Sequence, residues 1–163
     1  MKPIKLMKPI KHAVFLGRFQ PFHIGHLSIV EKIFAQGFDR LLLVIGSSEK
    51  SWTDENPWTL QEREEIIRAS IPLEIQEKID IVWLEDVPDD DAWCENLKRL
   101  MFNVERVTLF TGNPWVQSIC ERHNIQTDWI DSYDIDISGT KIREMIQRGE
   151  DVSQWMIATI FSE

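Results

Sequence analysis

The sequence is short of cysteine and of positive charge. Its two cysteines, Cys94 and Cys120, form no C-x-x-C pair and no metal-ligand spacing, so we expect free thiols in a reducing compartment. Lys and Arg number 18 against 27 Asp and Glu, and the net charge of -9 disfavours a nucleic-acid partner. A small anion bound in a local basic pocket remains compatible with this charge.

Long apolar runs and several common motifs are also absent. No stretch approaches the roughly 18 apolar residues of a membrane span, and the basic start MKPIKLMKPIKH lacks a signal-peptide core, so we expect a cytoplasmic protein that does not bind membranes. The first predicted strand is not followed by G-x-G-x-x-G, which disfavours a dinucleotide-binding dehydrogenase. The sequence also has no P-loop motif and no G-x-S-x-G motif, which disfavours a P-loop triphosphatase and a hydrolase. The length of 163 residues suits one domain over residues 13–163, preceded by a basic extension over residues 1–12.

Buried strands alternate with helical patterns along the chain. Strands are predicted at His12–Gly17, Arg40–Gly46, Ile79–Leu84, Arg106–Gly112 and Thr127–Ile130. Helices are predicted from about Gly25 to Phe34, from the cap Thr59 to Ala69, from Ala92 to Met101, after Asn113, and from the cap Ser138 to Gly149. The alternation predicts the α/β class: a single Rossmann-like domain, with a parallel sheet of about five strands, helices on both faces and ligands at the carboxyl ends of the strands.

The segment GRFQPFHIGH lies on the turn between the first predicted strand and the first helix. A helix N-terminus offers free amides and partial positive charge, so a polyphosphate can bind there with Arg18, His23 and His26 around it. Gly17 and Gly25, which have no side chain, would let the backbone approach the phosphates closely. The alternative is that both histidines only cap or pack the helix. We favour the phosphate site because the strand, glycines, arginine and histidines occur together.

A second anion-binding helix start is predicted at ISGTKIR, far along the chain. One turn there offers hydroxyls, amides and cations from Ser138, Gly139, Thr140, Lys141 and Arg143. The alternative is a plain cap by Ser138 with solvated bases. Basic residues at a helix N-terminus oppose the macrodipole, and a bound anion offsets that conflict. We therefore expect one triphosphate between the two helix starts.

These motifs resemble those of a known family. HIGH and ISGTKIR match the H-x-G-H and I-S-x-T-x-x-R signatures of nucleotidyltransferases, and GRFQPFHIGH is similar to archaeal-type nicotinamide mononucleotide adenylyltransferases. IGSSEKSWTDENPWTLQERE and FTGNPWVQ resemble that group's G-S-x-x-x-S-x-T-x-x-N-P-F-T-x-x-E-R and S/T-G-N-P-L-V segments. The chain departs from the group in three places. The group often has histidine where this chain has Trp52, and asparagine near the position of Asp90. It also often has an arginine in the loop that corresponds to Tyr133–Asp136, which contains none here.

The resemblance implies transfer of AMP from ATP to nicotinamide mononucleotide, giving NAD and pyrophosphate. It implies Mg²⁺ carried with ATP and no protein metal ligand, and electrostatic catalysis by Arg18, His23, His26 and Arg143, with the histidines protonated beside the triphosphate. ATP would contact Gly17, Phe19, Gln20, Gly25, Ser138, Gly139, Thr140 and Lys141. The acceptor would contact Ser47, Asp90 and Asn113, with its pyridine ring on Trp93.

Alternatives remain open from the sequence. A member of the same superfamily could act on flavin mononucleotide, phosphopantetheine or a cytidylyl acceptor, although ENPWT and TGNPW argue against this. A nucleotide-sensing module without turnover would not need the full charged set. Trp93 could instead be a core residue, as is usual for a single tryptophan, and the acidic surface with exposed tryptophan permits a homo-oligomer.

Overall fold

The computed structural model describes residues 8–101, 107–130 and 135–158, and this part of the chain contains one sheet of five parallel strands. The strands are β1 (His12–Gly17), β2 (Arg40–Ile45), β3 (Ile79–Trp83), β4 (Val107–Phe110) and β5 (Thr127–Asp128). Their order across the sheet is β3-β2-β1-β4-β5. In register, β1 aligns His12 with Arg40 of β2 and with Val107 of β4.

Helices cover both faces of this sheet. They are α1 (Ile24–Ala35), α2 (Leu60–Ser70), α3 (Leu73–Gln76), α4 (Asp90–Leu100), α5 (Pro114–Arg122) and α6 (Gly139–Gln147). Side chains of α1 and α2, such as Ile33 and Ile67, pack into one apolar core. Side chains of α4 and α5, such as Leu97 and Ile119, pack into a second core that includes Val14 of β1. The predicted Rossmann-like α/β fold is confirmed.

Several element boundaries differ from the sequence predictions. The last strand was predicted to reach Ile130 but ends at Asp128, because the Asp128 carboxylate accepts the Trp129 amide at 2.8 Å. The helix predicted from Ala92 begins at Asp90, since Asp89 caps it by accepting the Asp91 amide. The four-residue helix α3 was not predicted, as it is too short to show a helical period.

Parts of three predictions fall outside the described residues. Residues 1–7 of the predicted extension lie there, while its last residue, His12, belongs to β1. Arg106 of the fourth predicted strand and residues 133 and 134 of the loop 133–136 lie there too. Over the described ranges, no helix has both the length and the apolar character needed to cross a membrane.

The strand order places a crevice beside β1. The chain passes from β1 to β2 on one side, while β4, which comes later in sequence, pairs with β1 on the other side. In open parallel sheets the loops leaving such a pair of strands diverge, and ligands bind between them at the carboxyl ends. The segment GRFQPFHIGH leaves β1 at this point.

Candidate functional site

A cavity of about 590 Å³ opens at the carboxyl ends of the strands. Its walls include residues that follow four different strands: Arg18 after β1, Ser47 after β2, Asp86 after β3 and Asn113 after β4. Helices α1, α4 and α5 contribute His26, Trp93 and Trp115. The cavity therefore lies where the fold predicts a ligand.

His23 and His26 form a capping box at the start of α1. His23 Nδ1 accepts the Gly25 amide and His26 Nδ1 accepts the His23 amide, each at 3.1 Å, and the two rings stack with centroids 3.7 Å apart. Because each Nδ1 is an acceptor, a neutral ring carries its proton on Nε2. His26 lines the cavity, whereas His23 is 4% exposed and is not among its lining residues. The two histidines, equivalent in the motif, thus occupy different positions.

Both imidazoles are neutral at pH 7. Burial lowers the pKa of His23 to about 4, and burial together with the neighbouring His23 lowers the pKa of His26 well below its usual value. Protonation beside a triphosphate, as expected from the sequence, would require the ligand to raise these pKa values. A neutral His26 still has its Nε2–H to donate to a phosphate oxygen.

The depressed pKa of His23 predicts a loss of stability in acid. In the unfolded chain this histidine takes up a proton near pH 6.5, but in the folded protein only near pH 4. The unfolded state therefore binds more protons in this window, and stability falls as the pH is lowered through it. The variant His23→Asn keeps an oxygen for the Gly25 amide and does not titrate.

We expect His23→Asn to flatten the dependence of Tm on pH between 6.5 and 4, measured by circular dichroism. Carboxylates that titrate in the same range are common to both proteins, so the difference between their curves reports His23 together with its effect on the pKa of His26. Parallel curves would contradict the assignment.

Arg18 and Arg143 come from distant parts of the sequence and line the same two polar clefts beside the cavity. Arg143 Nη1 donates to Gln20 O at 2.7 Å, and its Nη2 donates to Thr140 Oγ1 at 3.2 Å. Burial and the nearby Arg18 both lower the pKa of Arg143. Two cations this close repel each other, and an anion bound beside both relieves the repulsion. His26 lines one of these clefts as well.

The start of α6 lies against the turn that follows β1. A Cβ on Gly139 would lie 3.0 Å from both Gln20 O and Arg143 Nη1, so a larger residue would have to displace these neighbours by a few tenths of an ångström. Ser138 caps the helix by accepting the Lys141 amide at 3.1 Å. Lys141 Nζ lies 3.5 Å from Asp136 Oδ2 and is not among the residues of these clefts. Gly139, Thr140 and Arg143 therefore reach the candidate site, while Lys141 contacts a local carboxylate.

Buried side chains hold the turn after β1 in place. The Phe19 ring packs edge-on against His26 with centroids 4.9 Å apart, and its backbone has a φ of 51°. The Gln20 side-chain amide pairs with the backbone of Trp58 through two hydrogen bonds of 3.0 Å. A Cβ on Gly25 would lie 2.9 Å from the His23 ring, so alanine there would disturb the cap. Phe19 and Gln20, predicted to contact ATP, border the cleft and also support His26 and Arg143.

The loops after β2 and β3 also contribute to the cavity wall. Ser47 has a φ of 48°, and its hydroxyl donates to Asp86 Oδ2 at 2.8 Å. Lys50 forms an ion pair with the same carboxylate at 2.9 Å. Both Ser47 and Asp86 line the cavity. Asp90, predicted as an acceptor contact, lies 3.8 Å from Arg122 and is not among the lining residues, so the structure does not bring it to the site.

Two tryptophans form the aromatic part of the wall. Trp93 is 4% exposed and packs in the core that contains Cys94 and Leu97, so it is both a core residue and a lining residue. Trp115 is 48% exposed, and the two ring centroids are 5.4 Å apart. Asn113 caps α5 and fixes the Trp115 backbone by accepting its amide at 3.0 Å.

Arg63 supports two loops of the site and was not singled out in the sequence. Its side chain is 0% exposed and, among the described residues, donates to the backbone carbonyls of Thr59, Arg18, Gly46, Ser47, Ser48 and Lys50. Burial lowers the pKa of Arg63. The guanidinium joins α2 to the loops after β1 and β2, which carry the lining residues Arg18 and Ser47, and this makes Arg63 a positioning residue. A sequence clue existed, because Arg63 shares the buried face of α2 with Ile67.

Removing the Arg63 guanidinium should destabilise the protein strongly. We expect Arg63→Met to lower the free energy of unfolding by about 3 kcal/mol or more, because several buried carbonyls lose their donor at once. Arg68→Met on the same helix removes only an exposed pair with Glu64 and should cost less than about 1 kcal/mol. Urea unfolding of both variants measures the difference. Equal losses would mean that Arg63 is no more important than a surface arginine.

Comparison with known proteins gives one family. The sequence model of the cytidylyltransferase-like family matches residues 14–145. The nicotinamide-nucleotide adenylyltransferase of Thermoplasma volcanium is 34% identical over 146 residues, covering 88% of this chain and 80% of that protein. The protein of the same name from Archaeoglobus fulgidus is 31% identical over 162 residues, covering 93% of this chain and 90% of that protein.

Solved structures share the fold at lower identity. A bifunctional NMN adenylyltransferase/ADP ribose pyrophosphatase from Francisella tularensis superposes with a TM-score of 0.78 at 23% identity, covering 92% of this chain and 46% of that chain. Another structure described in the same words, complexed with AMP and a manganese ion, gives a TM-score of 0.72 at 22% identity, with coverage of 93% and 46%.

Proposed function

Because the chain belongs to the cytidylyltransferase-like family, and within it to the nicotinamide-nucleotide adenylyltransferases, we propose that it transfers AMP from ATP to nicotinamide mononucleotide. The products are NAD and pyrophosphate. One observation carries the choice of acceptor: the walls of a single cavity include Arg18 and His26 together with the aromatic rings of Trp93 and Trp115. Nicotinamide mononucleotide has a matching pair of groups, an anionic phosphate and a cationic pyridinium ring.

The proposed reaction needs positioning and charge stabilisation more than covalent chemistry. A phosphate oxygen of the acceptor attacks the α-phosphorus of ATP, and the bond from that phosphorus to the bridging oxygen breaks. The electron pair leaves with pyrophosphate. The attacking phosphate is already ionised, so no general base is required. His26, Arg18 and Arg143 stabilise the negative charge that develops on the leaving group.

We further propose that Mg²⁺ enters with ATP. It would neutralise phosphate charge there, and phosphate oxygens and water would hold it, since this hard cation prefers oxygen ligands. Within residues 8–101, 107–130 and 135–158, no group of three or more His, Cys, Asp and Glu side chains is arranged to hold a metal ion. We also propose that the enzyme works in the cytoplasm, since Cys94 and Cys120 are both free thiols.

The test is an acceptor panel. The protein is incubated with ATP, Mg²⁺ and, separately, nicotinamide mononucleotide, its deamidated analogue, flavin mononucleotide and phosphopantetheine, and products are resolved by mass. NAD is the expected product. A flavin or pantetheine product would reassign the acceptor, and ATP binding without turnover of any acceptor would favour a sensing module and overturn the proposal.

A further inference from the structure

A turn that follows α6 reaches back to the start of α1. Trp155 O accepts the amide of Ile24, the first residue of α1, at 3.0 Å. We propose that this carbonyl is a positioning group for the reaction, which fixes the start of α1 so that His26 meets the triphosphate. This inference rests on the proposed function and adds to it a residue that lies outside both motifs.

The accepting segment, the 151–155 turn, is ordered by its own hydrogen bonds. The Asp151 carboxylate accepts the Ser153 amide at 2.9 Å and the Ser153 hydroxyl at 3.0 Å, and the Trp155 amide donates to Val152 O at 2.9 Å. The next residue, Met156, is buried and anchors the turn. Trp155 O is therefore held in place by the protein itself.

The first amides of a helix have no partner within the helix. In α1, Trp155 O accepts the Ile24 amide and His23 Nδ1 accepts the Gly25 amide. Both amides are thus bound within the protein, and side chains such as His26 are left to meet the phosphates. The Trp155 carbonyl therefore acts on the geometry of the site rather than on the ligand.

Contacts near both ends of α6 hold the segment around the start of α1. At the beginning of α6, Gly139 and Arg143 lie against Gln20. Beyond its end, the 151–155 turn binds Ile24, two residues before His26. A shift of the α1 start would move His26 relative to the Arg143 guanidinium, and a displacement of about 1 Å can cost on the order of a hundredfold in rate.

The Trp155 backbone carries this role, and its ring does not. Lys141 Nζ lies 5.8 Å from the ring centroid, near the limit of a cation–π contact. Among the residues that the structure describes, Trp155 Nε1 is buried without a hydrogen-bond partner. Trp155→Leu therefore keeps the carbonyl and loses no hydrogen bond of the ring.

Ile24→Pro removes the donor. Proline is tolerated at the first position of a helix, and the preceding His23 is already extended, with φ -138° and ψ 179°. We expect kcat for NAD formation to fall by roughly tenfold to a hundredfold, because the proline ring displaces Trp155 O. ATP affinity, measured by calorimetry, should change less than about threefold, since Arg18 and Arg143 lie outside α1. The binding stoichiometry reports the folded fraction.

Three variants serve as comparisons. Leu73→Pro places proline at the first position of α3, where the side chain is exposed, and should have the kcat of the wild type. Asp151→Ala loosens the turn without changing α1 and should lower kcat by a smaller factor than Ile24→Pro. Trp155→Leu should lose far less than Ile24→Pro, and an equal loss would assign the effect to the ring and overturn the inference.

A double-mutant cycle tests whether the effect passes through His26. In the His26→Ala background, Ile24→Pro should lower kcat by less than about twofold further. Additive losses, or an unchanged kcat in Ile24→Pro, would overturn the inference. If Ile24→Pro does not fold, Asp151→Ala in the same cycle decides by the same criteria.

Amide hydrogen exchange separates this inference from the proposed function, because it needs no turnover. The Ile24 amide should exchange slowly in the wild type and faster in Asp151→Ala. Fast exchange at Ile24 in a wild type that forms NAD would reject only the role of Trp155. A protected Ile24 amide in a protein that forms no NAD would reject the function and leave the hydrogen bond established.

Discussion

Replacing His26 with alanine is expected to lower kcat for NAD formation by about 100-fold or more, with a much smaller change in ATP affinity. His26 lines both the main cavity and the cleft shared by Arg18 and Arg143. Its Nδ1 is occupied by the His23 amide, so Nε2 is the atom left for a ligand. A hydrogen bond that strengthens as charge develops on pyrophosphate contributes mainly to the transition state. Steady-state kinetics and ATP calorimetry measure the two quantities.

Two amide variants separate the two nitrogens of His26. Asparagine places an oxygen near the position of Nδ1 and can keep the capping contact, whereas glutamine reaches the position of Nε2 and can donate there. We expect His26→Asn to unfold at the wild-type temperature but to be as inactive as His26→Ala. His26→Gln should retain more activity than either. Near-normal turnover in His26→Asn would refute the role of Nε2.

The fold could be predicted because its determinants are local in sequence. β1 occupies the predicted residues, His12–Gly17, since a short apolar run that ends in glycine specifies a buried strand and the turn after it. The capping box at Thr59 and the cap at Ser138 are likewise encoded within four residues. The predicted ends of strands and helices differ from the observed ones where a side chain competes for a backbone amide, as Asp128 does at the end of β5.

The site was predictable as a set of motifs but not as a geometry. His23 and His26 look alike in HIGH, and only the folded chain buries one ring beneath the other. Lys141 and Arg143 are two residues apart, yet one contacts Asp136 and the other reaches Gln20. These differences depend on contacts between segments more than 100 residues apart in places, which no local pattern encodes.

The sequence contains seven tryptophans, and no local pattern says which of them share a cavity. Trp93 was selected by resemblance, but its partner Trp115 lies on another helix and was missed. The carbonyl partners of Arg63 come from separate loops, so their convergence was also invisible before folding. In both cases the missing information is tertiary: the chemistry is carried by residue types the sequence displays, at positions the sheet brings together.

Replacing Arg143 with alanine is expected to weaken ATP binding by roughly tenfold to a hundredfold, because a charge-assisted phosphate contact is lost from a partly buried position. Two of the five guanidinium N–H groups are held by Gln20 O and Thr140 Oγ1. These contacts fix the fork and leave further N–H groups for phosphate. Arg143→Lys keeps the charge, but a single ammonium cannot reproduce the fork while also reaching both oxygens.

We therefore expect Arg143→Lys to recover only a small part of the affinity lost in Arg143→Ala, as measured by calorimetry with ATP and Mg²⁺. Arg148→Ala is the matched control, since Arg148 follows α6 and pairs with Glu150 at the surface. It should bind ATP like the wild type. Thr140→Val removes only one of the two contacts that orient Arg143 and leaves the contact with Gln20 O in place, so it should cause a smaller loss. ATP affinity unchanged in both Arg143 variants would mean that the start of α6 does not bind the triphosphate.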